Sequence, residues 1–493
     1  MLRKIRIFLS TVFFVGITLL FLDFTGLAIT YLEWMNDIQL WPAILALNVG
    51  VIVGLVVLTL VMGRVYCSVI CPLGILQDIV AWIRTRMGST KARHKYQSAL
   101  NWLRLSVLAV FVGLSFLGIA HFIEPYGMFG RIAANLLRPL YLMANNALAV
   151  VAENHDSYLI YSKEIIFTGV ASLVVAVVTL VLIVALAWRG GRTWCSHICP
   201  VGTLLGFLSR FAWLKPYIDK DRCVNCRACA KKCKASCIDI EHHTIDYSRC
   251  VDCMDCLDSC ASKAIHFGRP IKPATAKITG NEPADPSRRT FIATTAVVAG
   301  AAALKAQEEV AHGGLAVIED KEIPERATQI VPPGSGSVGN FYDRCTACQL
   351  CIAACPNDVL RPSSDLATLL KPVMQFNHGY CRPECNICAK ICPTGSMKPI
   401  TVDERASTQV GHAVWISKNC VATAGVHCGN CARHCPVGAI TMVPLNGDTS
   451  ENPVMIPAVN EEKCVGCGAC EYLCPARPFS AIYVEGHERH RIL

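Results

Sequence analysis

Long apolar runs occupy the first 190 residues of the chain and are almost absent after them. Four of these runs extend approximately over residues 5–28, 41–62, 102–122 and 165–188. A helix needs about 20 apolar residues to cross a hydrocarbon core of roughly 30 Å, whereas helices buried in a soluble protein are shorter and keep a polar stripe. The pattern therefore predicts four transmembrane helices. A further apolar stretch, 132–151, is expected either to lie at the membrane surface or to re-enter the membrane.

Basic residues flank the predicted spans unevenly. They precede the first span within residues 3–6 and recur in the segment 64–104, but none occurs in residues 29–40, between spans one and two. Because basic residues stay on the cytoplasmic side, both ends of the four-helix unit are expected in the cytoplasm and residues 123–163 outside. Glu124, at the outer end of span three, is a candidate proton acceptor, although an interfacial acid without a special role is the simpler interpretation.

The chain has 29 cysteines and a formal net charge of +9. Much of the positive charge flanks apolar runs, and no nucleic-acid motif or basic stripe occurs, so nucleic-acid binding is not expected. Disulfide scaffolds are short secreted chains with irregular cysteine spacings, whereas one short spacing recurs here. The cysteines therefore predict metal sites. No C-x-x-C-H haem motif and no glycine-rich nucleotide motif is present.

Two similar motifs follow the second and fourth predicted spans. They are Cys67-Ser-Val-Ile-Cys71-Pro and Cys195-Ser-His-Ile-Cys199-Pro, and each is followed by an apolar residue and glycine. A spacing of four residues places two thiols on one helical face, and the repeated phrase indicates an internal duplication. Four thiols can then converge on the cytoplasmic side. Simple helix packing, a redox-active pair, a metal site and part of a quinone pocket all remain open for Cys67, Cys71, Cys195 and Cys199.

Two cysteine groups with two-residue gaps come next. In two-cluster ferredoxins, three thiolates of each 4Fe–4S cluster come from one such group and the fourth comes from the other group. We therefore assign one cluster to Cys223, Cys226, Cys229 and Cys260, and a second cluster to Cys250, Cys253, Cys256 and Cys233. A structural zinc site is less favoured, because zinc sites use paired C-x2-C knuckles.

Three residues of this region depart from the usual ferredoxin pattern. Lys234 and Ala261 stand where proline usually follows the last cysteine, which alters the turn but removes no ligand. Cys237 is left over after the ligands are assigned. We interpret it as a small buried residue, with a redox role as the alternative.

Residues 269–340 have the composition of a linker and contain a phrase typical of an export signal. The phrase Ser287-Arg288-Arg289-Thr290-Phe291, followed by a weakly apolar run to Leu304, resembles a twin-arginine signal. The run is short for a transmembrane helix. We expect residues 287–304 to form a fifth anchor that delivers everything after Lys305 to the outer face of the membrane.

The last sixteen cysteines form four more groups, each followed by proline. The second group has one extra residue in its first gap, and the first gap of the third group is widened to seven residues. The groups are Cys345, Cys348, Cys351 and Cys355; Cys381, Cys385, Cys388 and Cys392; Cys420, Cys428, Cys431 and Cys435; and Cys464, Cys467, Cys470 and Cys474. The pattern predicts four further 4Fe–4S clusters, and six in the whole chain.

These features resemble two known families. Residues 1 to about 268 are similar to the membrane quinol-dehydrogenase component of periplasmic nitrate-reductase systems, the NapH type, in their four spans, paired motifs and two cluster groups. Residues from about 287 onward are similar to the exported four-cluster partner of the NapG or MauM type. The chain thus looks like a fusion of the two, with an α-helical membrane domain and α+β ferredoxin-like domains. The expected boundaries are 1–210, 211–268, 269–340 and 341–493.

The resemblance implies a component of anaerobic respiration in the inner membrane. It would be a quinol dehydrogenase that takes electrons from the membrane pool of menaquinol or ubiquinol and passes them to a periplasmic reductase or multihaem cytochrome. Residues 211–268 would be cytoplasmic, and residues after 305 periplasmic. Two alternatives are a membrane cupric reductase and an electron-relay subunit without its own quinone site.

The resemblance also implies how the last four groups share their ligands. In the related four-cluster proteins the first and last groups exchange their final cysteine, as do the middle two. Carried over, Cys474 would complete the cluster of the first group and Cys355 that of the last, while Cys435 would complete the cluster of the second group and Cys392 that of the third.

Overall fold

The computed structural model describes residues 1–87, 94–157, 160–269, 320–445 and 453–493. The export signal predicted at Arg288 and Arg289, together with the anchor predicted over 287–304, lies outside the described residues. The described chain forms a helical unit up to residue 210, a two-group unit over 211–269 and a four-group unit from 320 onward.

The helical unit is built from α-helices joined by short turns. Its helices are α1 Leu2–Leu22, α2 Leu27–Leu32, α3 Trp34–Asp37, α4 Leu40–Leu45, α5 Val49–Met62, α6 Val65–Val69, α7 Pro72–Arg86, α8 Asn101–Phe116, α9 Pro125–Ile132, α10 Arg138–Glu153, α11 Val170–Gly190 and α12 Pro200–Ser209, with a 3₁₀ turn at Ala120–Phe122 and π-helical turns at Ala133–Leu137 and Trp194–Ile198.

All four predicted spans contain an apolar helix, but the helices differ in length. In the described chain, α1 and α11 are long and apolar enough to cross a membrane, whereas α5 and α8 are shorter. The second predicted span is interrupted because the chain turns at Leu47, whose φ is 55°, before α5 begins. The third ends early because Gly118, with φ of 68°, follows α8. A set of four full-length crossing helices is therefore not established.

The stretch after Glu124 lies inside the helical unit. All eight residues of α9 are buried, and the helix packs against α7 and α11 before it continues through a π-helical turn into α10. Glu124 caps α9, because its carboxylate accepts hydrogen bonds from the backbone amides of Tyr126, at 2.9 Å, and Gly127. The apolar stretch 132–151 thus begins in the core and extends outward from it.

The structure supports the predicted duplication. The first copy consists of α5, α6 and α7, and the second of α11, the turn Trp194–Ile198 and α12. In each copy a glycine with φ of 72°, Gly63 or Gly191, ends the long helix just before the cysteine motif. Pro72 and Pro200 then occupy the first position of the next helix. Proline is well tolerated there, because a backbone N–H at this position would have no partner within the helix.

The two cysteine units are small α+β structures with two-stranded antiparallel sheets, in which β1 pairs with β4, β2 with β3, β5 with β6, β7 with β10 and β8 with β9. The two-group unit contains β1 Lys215–Ile218, α13 Ala228–Lys232, β2 Ile238–Asp239, β3 Thr244–Ile245, α14 Asp255–Asp258 and β4 Ile265–Gly268. The four-group unit contains α15 Val338–Arg344, α16 Leu350–Ala354, β5 Leu360–Pro362, β6 Pro372–Met374, α17 Ile387–Lys390, α18 Val402–Ser407, β7 Thr408–Trp415, α19 Asn430–Arg433, β8 Ile440–Pro444, β9 Met455–Val459, α20 Ala469–Tyr472 and β10 Ile482–Ile492, with a 3₁₀ turn at Ser417–Asn419.

The four-group unit begins earlier than the boundary predicted at residue 341. Arg326 forms an ion pair of 2.6 Å with the buried Glu471, and the backbone amide of Thr328 donates to Glu485. Ile330 and Val331 are buried in the core. Residues 320–340, which composition assigned to a linker, therefore pack as part of this unit.

The two cysteine units lie at opposite ends of α1. Near its beginning, Arg3 pairs with Asp255 of the two-group unit at 2.7 Å. Near its end, Phe21 packs on Phe129, and α1 contacts α16 of the four-group unit. A helix of this length spans roughly 30 Å. The helical unit therefore separates the two cysteine units by about the thickness of a hydrocarbon core.

A buried ionic network joins the helical unit to the two-group unit. Asp78 on α7 pairs with Arg192 at 2.7 Å, Arg6 at 2.9 Å and Lys234 at 3.5 Å. Burial acts to raise the pKa of Asp78, but these three cations outweigh burial and hold the pKa below its usual range. Lys234 also pairs with Asp255 at 3.1 Å. Lys234, which stands where ferredoxins usually have proline, thus helps to dock the two-group unit onto the helical unit.

Replacement of Asp78 by Asn is expected to destabilise this junction strongly. Removal of one partner from a buried ionic network leaves uncompensated charge and costs about 3–5 kcal/mol. Thermal unfolding of the purified full chain measures the loss. The exposed Asp156→Asn is the matched control and is expected to change little. Equal stability of the two variants would contradict the role given to the network.

Candidate metal centres

The cysteine loops adopt a shared backbone conformation. In both groups of the two-group unit, and in the first and last groups of the four-group unit, the residues on each side of the second cysteine have positive φ. These residues are Asn225 and Arg227, Asp252 and Met254, Ala347 and Gln349, and Gly466 and Gly468, with φ between 47° and 79°. Such conformations cost non-glycine residues about 1–3 kcal/mol and persist where the surroundings impose them. The loops are therefore shaped to wrap a central group.

The two groups with a longer first gap are shaped differently. Asn386 follows the second cysteine of its group with φ of −126°, and Gly429 is at −160° in the corresponding position of the third group. The extra residues relax the tight turn, because the chain no longer has to connect the first two thiols within two residues. The difference in spacing seen in the sequence thus has a direct backbone consequence.

The two-group unit brings its ligands together as predicted. Cys233, Cys250, Cys253 and Cys256 line one cavity, whose other walls are mostly apolar. Cys229 lies close enough to interact electrostatically with Cys260, Cys223 and Cys226. Both sets combine three thiols of one group with the last thiol of the other. This arrangement fits a 4Fe–4S cluster at each set.

Cys237 belongs to the site of the second of these clusters. Its Sγ lies 3.5 Å from Sγ of Cys233, it is buried, and it lines the same cavity. Of the two interpretations given to this residue, simple packing does not describe its position fully, because a thiol at this distance can donate a hydrogen bond to a ligand thiolate.

The ligand exchange in the four-group unit differs from the one carried over by resemblance. Three cavities are each lined by three thiols of one group and one thiol of a neighbouring group. Cys355 joins Cys381, Cys385 and Cys388; Cys392 joins Cys345, Cys348 and Cys351; and Cys474 joins Cys420, Cys428 and Cys431. Cys435 interacts with Cys464 and Cys467, so it belongs with the last group. The expected exchange of first with last and of the middle two is wrong.

The reason is local pairing along the chain. Helices α16 and α17, which carry Cys351 and Cys388, contact each other, as do α19 and α20, which carry Cys431 and Cys470. Each pair of consecutive groups therefore has the ligand arrangement of a two-cluster ferredoxin. The four-group unit contains two such arrangements in sequence.

The four sites of this unit have a definite order. The site of Cys348 is nearest the helical unit, since the thiol of this residue interacts with Glu124. The site of Cys388 follows through the shared ligand pair. It is joined to the last group by a hydrogen bond of 2.9 Å from the Cys381 backbone amide to the Cys467 carbonyl. The fully buried Arg405 also links the two groups, because it interacts with the thiols of both Cys381 and Cys467. The third group, with Cys428, lies at the far end.

The four-group unit meets the helical unit at a polar junction on α9. Asn135 donates to the side-chain oxygen of Gln349 at 2.7 Å, and Gln349 donates to Ser172 at 2.7 Å. Arg131 is fully buried and donates to the His121 carbonyl at 3.1 Å. Burial raises the pKa of Glu124 to about 7, and the two amides it caps and Arg131 only partly oppose that rise. A carboxyl group that titrates near neutral pH thus lies beside the first cluster site.

The four thiols of the paired motifs converge, as the duplication predicts. Cys67, Cys71, Cys195 and Cys199 are all buried, and each of Cys71, Cys195 and Cys199 interacts electrostatically with other members of the set. The two copies also exchange arginines. Arg64 of the first copy donates to the Cys195 carbonyl at 3.0 Å, and Arg192 of the second copy donates to the Cys67 carbonyl at 2.6 Å.

Polar side chains are directed at these sulfurs. Gln77 donates to Sγ of Cys195 at 3.1 Å, and Arg64 approaches Sγ of Cys67 at 3.7 Å. Sequence reasoning missed Arg64, Arg192 and Gln77. The signal for the arginines was present, because each stands three residues before the first cysteine of its motif, giving R-x-x-C-x-x-x-C-P-x-G in both copies.

Throughout residues 1–87, 94–157, 160–269, 320–445 and 453–493, no group of three or more His, Cys, Asp or Glu side chains is placed to hold a single metal ion. The cavities that each collect three thiols of one group and one of another fit iron–sulfur clusters.

Family models for iron–sulfur domains match most of the cysteine-bearing segments. A model described as a 4Fe-4S binding domain matches twice, at residues 44–90 and 172–218. Models described as 4Fe-4S dicluster domains match residues 246–359 and 426–477. The assignment of 4Fe–4S clusters to this chain is thereby supported independently of the cavities.

The chain is also similar to several ferredoxin-type proteins. It is 34% identical over 167 residues to the methylamine utilization ferredoxin-type protein MauM of Methylobacillus flagellatus, a match covering 33% of this chain and 70% of that protein. The match to MauM of Paracoccus denitrificans is 32% identical over 226 residues and covers 44% and 91%. Ferredoxin-type protein NapG of Escherichia coli matches at 29% over 179 residues, covering 33% and 75%. No solved structure matches the chain.

Cysteine variants can test the ligand exchange in the four-group unit. Cys392→Ser and Cys351→Ser are expected to remove or alter the same EPR signal, because both thiols line one cavity. Cys474→Ser and Cys431→Ser are expected to affect a different signal together. If Cys474→Ser instead altered the signal that Cys351→Ser alters, the exchange of first with last group would be correct.

Replacement of Cys237 by Ala is expected to leave the iron content unchanged and to lower the reduction potential of the neighbouring cluster. The lost hydrogen bond to the Cys233 sulfur, worth about 1 kcal/mol, no longer stabilises the more negative reduced cluster, a shift on the order of 40 mV for one electron. A redox titration followed by EPR measures it. Loss of about four irons would instead make Cys237 a ligand.

Proposed function

The chain belongs to the family of ferredoxin-type iron–sulfur proteins that includes MauM, and we propose that this electron-transfer protein is a membrane-bound quinol dehydrogenase component. In this proposal it oxidises menaquinol or ubiquinol and relays the electrons to a reductase or cytochrome on the outer side of the membrane. The observation that carries the proposal is the ordered series of cluster sites. The series begins beside the buried carboxyl group of Glu124, whose pKa is raised to about 7, and it ends at an exposed surface.

Exposed apolar residues on the long helices support attachment to a membrane. Phe8 on α1 is 67% exposed, and Val178 and Val181 on α11 are 60% and 61% exposed. Soluble proteins rarely expose contiguous apolar patches of this kind. Lipid would cover these surfaces, with the shorter α5 and α8 completing a four-helix membrane domain. The two-group unit would lie in the cytoplasm and the four-group unit in the periplasm, in line with the basic residues near Arg3.

Glu124 supports a site of quinol oxidation at the junction with the four-group unit. Oxidation of a quinol releases two protons and two electrons, so a proton acceptor must stand near the first electron acceptor. Glu124 titrates near neutral pH and interacts with Cys348 of the nearest cluster site. Tyr126 and Asn36, which share a hydrogen bond of 2.6 Å beside it, add polar groups to the same buried region.

The far end of the series is suited to an exchange of electrons with a partner. The widened loop 421–427 of the third group is largely exposed, and Cys428 lies behind it. Lys418, Arg433 and His434 are exposed around this loop. An acceptor with an acidic surface, such as a periplasmic reductase or multihaem cytochrome, can dock here with complementary charge.

The first test follows cluster reduction by a menaquinol analogue in the anaerobically purified chain. Glu124→Gln is expected to slow the reduction by roughly 10²-fold, the usual contribution of a general base. The rate of the unchanged chain should rise with pH through about 7 as Glu124 loses its proton, and this dependence should vanish in the variant. Dithionite should still reduce all clusters of the variant.

Glu153→Gln is the matched control, since Glu153 lies exposed at the end of α10, and it should leave the rate unchanged. Fully loaded clusters that quinol cannot reduce would contradict the proposed function and favour a relay between protein partners. Copper-dependent oxidation of prereduced protein would favour a metal reductase.

A further inference from the structure

The relay from quinol to the outer surface does not use the thiols of the paired motifs. Cys67, Cys71, Cys195 and Cys199 lie in the helical unit between the two cysteine units, and they share one continuous buried core with residues of both. Each copy of the duplication supplies only two of the four thiols. The segments 44–90 and 172–218, which match a 4Fe-4S binding domain, contain no other cysteines. A complete set of four ligands therefore requires both copies together.

The charge around these thiols calls for an anionic group. Arg64 is fully buried, and no carboxylate of the described chain forms an ion pair with its guanidinium group, whose Nε also has no hydrogen-bond partner. Asp252 accepts a hydrogen bond from the Arg64 backbone amide, at 2.8 Å, and interacts with the Arg64 charge through space without forming an ion pair. A buried cation without an ion-pair partner is strongly unfavourable. Thiolates bound to a cluster would supply the missing negative charge, and Arg64 Nη2 already lies 3.7 Å from Sγ of Cys67.

The two-group unit docks directly over this site. Gly63 and Gly191, which precede the motifs in the two copies, leave no room for a side chain against Asp252 and Lys234. Asp252 and Lys234 each adjoin a ligand of the same cluster, Cys253 and Cys233. Arg192 interacts electrostatically with both Cys195 and Cys253. One cluster site of the two-group unit therefore lies beside the four thiols, in contact with both copies.

The opposite side of the site faces the four-group unit. Glu124 interacts electrostatically with Cys71 of the thiol site and with Cys348 of the first outer cluster. The hydroxyl of Tyr66, the residue next to Cys67, donates a hydrogen bond to the Gln39 side chain at 3.1 Å. The buried region extends from there toward Asn36, which accepts a hydrogen bond from Tyr126. The four thiols thus occupy the interval between the two sets of clusters. A gap of roughly 30 Å is too long for a single electron step, since tunnelling falls off exponentially with distance.

We propose that Cys67, Cys71, Cys195 and Cys199 together hold a further iron–sulfur cluster, which connects the clusters of the two-group unit with those of the four-group unit. The ligand assignment stands on the four thiols and their charge environment alone, whereas the outward direction of transfer rests on the proposed function.

The electron route is a series of single-electron steps. A cluster held by Cys250, Cys253 and Cys256 would give one electron to the cluster held by the four thiols of the paired motifs, and that cluster would give it in turn to the one held at Cys348. No bond is made or broken, and no proton is transferred in these steps. A low-potential electron donor protein in the cytoplasm is the class of reductant that would feed the two-group unit, alongside the quinol that feeds the outer clusters.

Metal analysis tests the ligand assignment. The anaerobically purified chain is expected to contain about 28 iron atoms, four for each of seven clusters, and Cys67→Ala/Cys195→Ala is expected to contain about 24. The variant should gain no iron on reconstitution at this site, while its remaining EPR signals persist. An unchanged chain with about 24 irons after full reconstitution, or one that binds copper or zinc at these thiols instead, would overturn the proposal.

Electron crossing tests the route. The chain is inserted into sealed vesicles with the two-group unit outward, and dithionite, which does not cross the membrane, is added outside. Cluster signals of the four-group unit should appear in the unchanged chain and be absent or at least tenfold slower in Cys67→Ala/Cys195→Ala. Equal rates would overturn the route.

The same vesicles separate this inference from the proposed function. A menaquinol analogue should reduce the four-group clusters of the variant at the normal rate, which also shows that the variant is folded. Ser106→Ala, on the exposed side of α8, is a control that should change neither reaction. If quinol failed to reduce the unchanged chain and its variants while electrons from external dithionite still reached the four-group unit of the unchanged chain, only the proposed function would be contradicted.

Discussion

A cubane cluster needs four converging thiolates, and each tight cysteine loop of this chain supplies three. This shortage of one ligand per loop shapes the molecule, because every loop must borrow its fourth thiol from another group. Consecutive groups therefore fold against each other in pairs, so that the two-group unit has one ligand arrangement of the two-cluster ferredoxin type and the four-group unit has two. Pairing also keeps the two cluster sites of each pair close together, since sites that exchange ligands are necessarily neighbours.

The helical unit extends the same principle to the paired motifs. Its two copies are related by duplication, and each donates an arginine to a backbone carbonyl of the other across the four thiols. The Asp78 network then ties the two-group unit to this centre through Lys234. Charge thus decides how the parts meet. A buried charge without compensation is costly, and at the paired motifs Arg64 and Arg192 lie against the cysteines.

Much of the site followed from sequence, because ligand spacing is a local property. The structure brings together the cysteines of the three-plus-one sets predicted for the two-group unit, from Cys223 to Cys260. The pairing of the last sixteen cysteines was not predicted correctly, since it depends on which helices pack together, and α16 packs on α17 instead of on α20. Helix lengths were also mispredicted, because Leu47 and Gly118 break runs that hydropathy alone treats as continuous. Lys234 seemed only a departure from a motif, yet its partner Asp78 lies 156 positions earlier, beyond the reach of any local pattern.

The order of the clusters is the central claim, and the order of their reduction tests it most directly. Purified chain mixed with a menaquinol analogue is frozen at successive times, and each EPR signal is assigned with the single cysteine variants. The account predicts that the cluster at Cys345, Cys348 and Cys351 is reduced first and the cluster at Cys420, Cys428 and Cys431 last. Reduction of the distal cluster before the junction cluster would contradict the order, and with it the proposed entry of electrons beside Glu124.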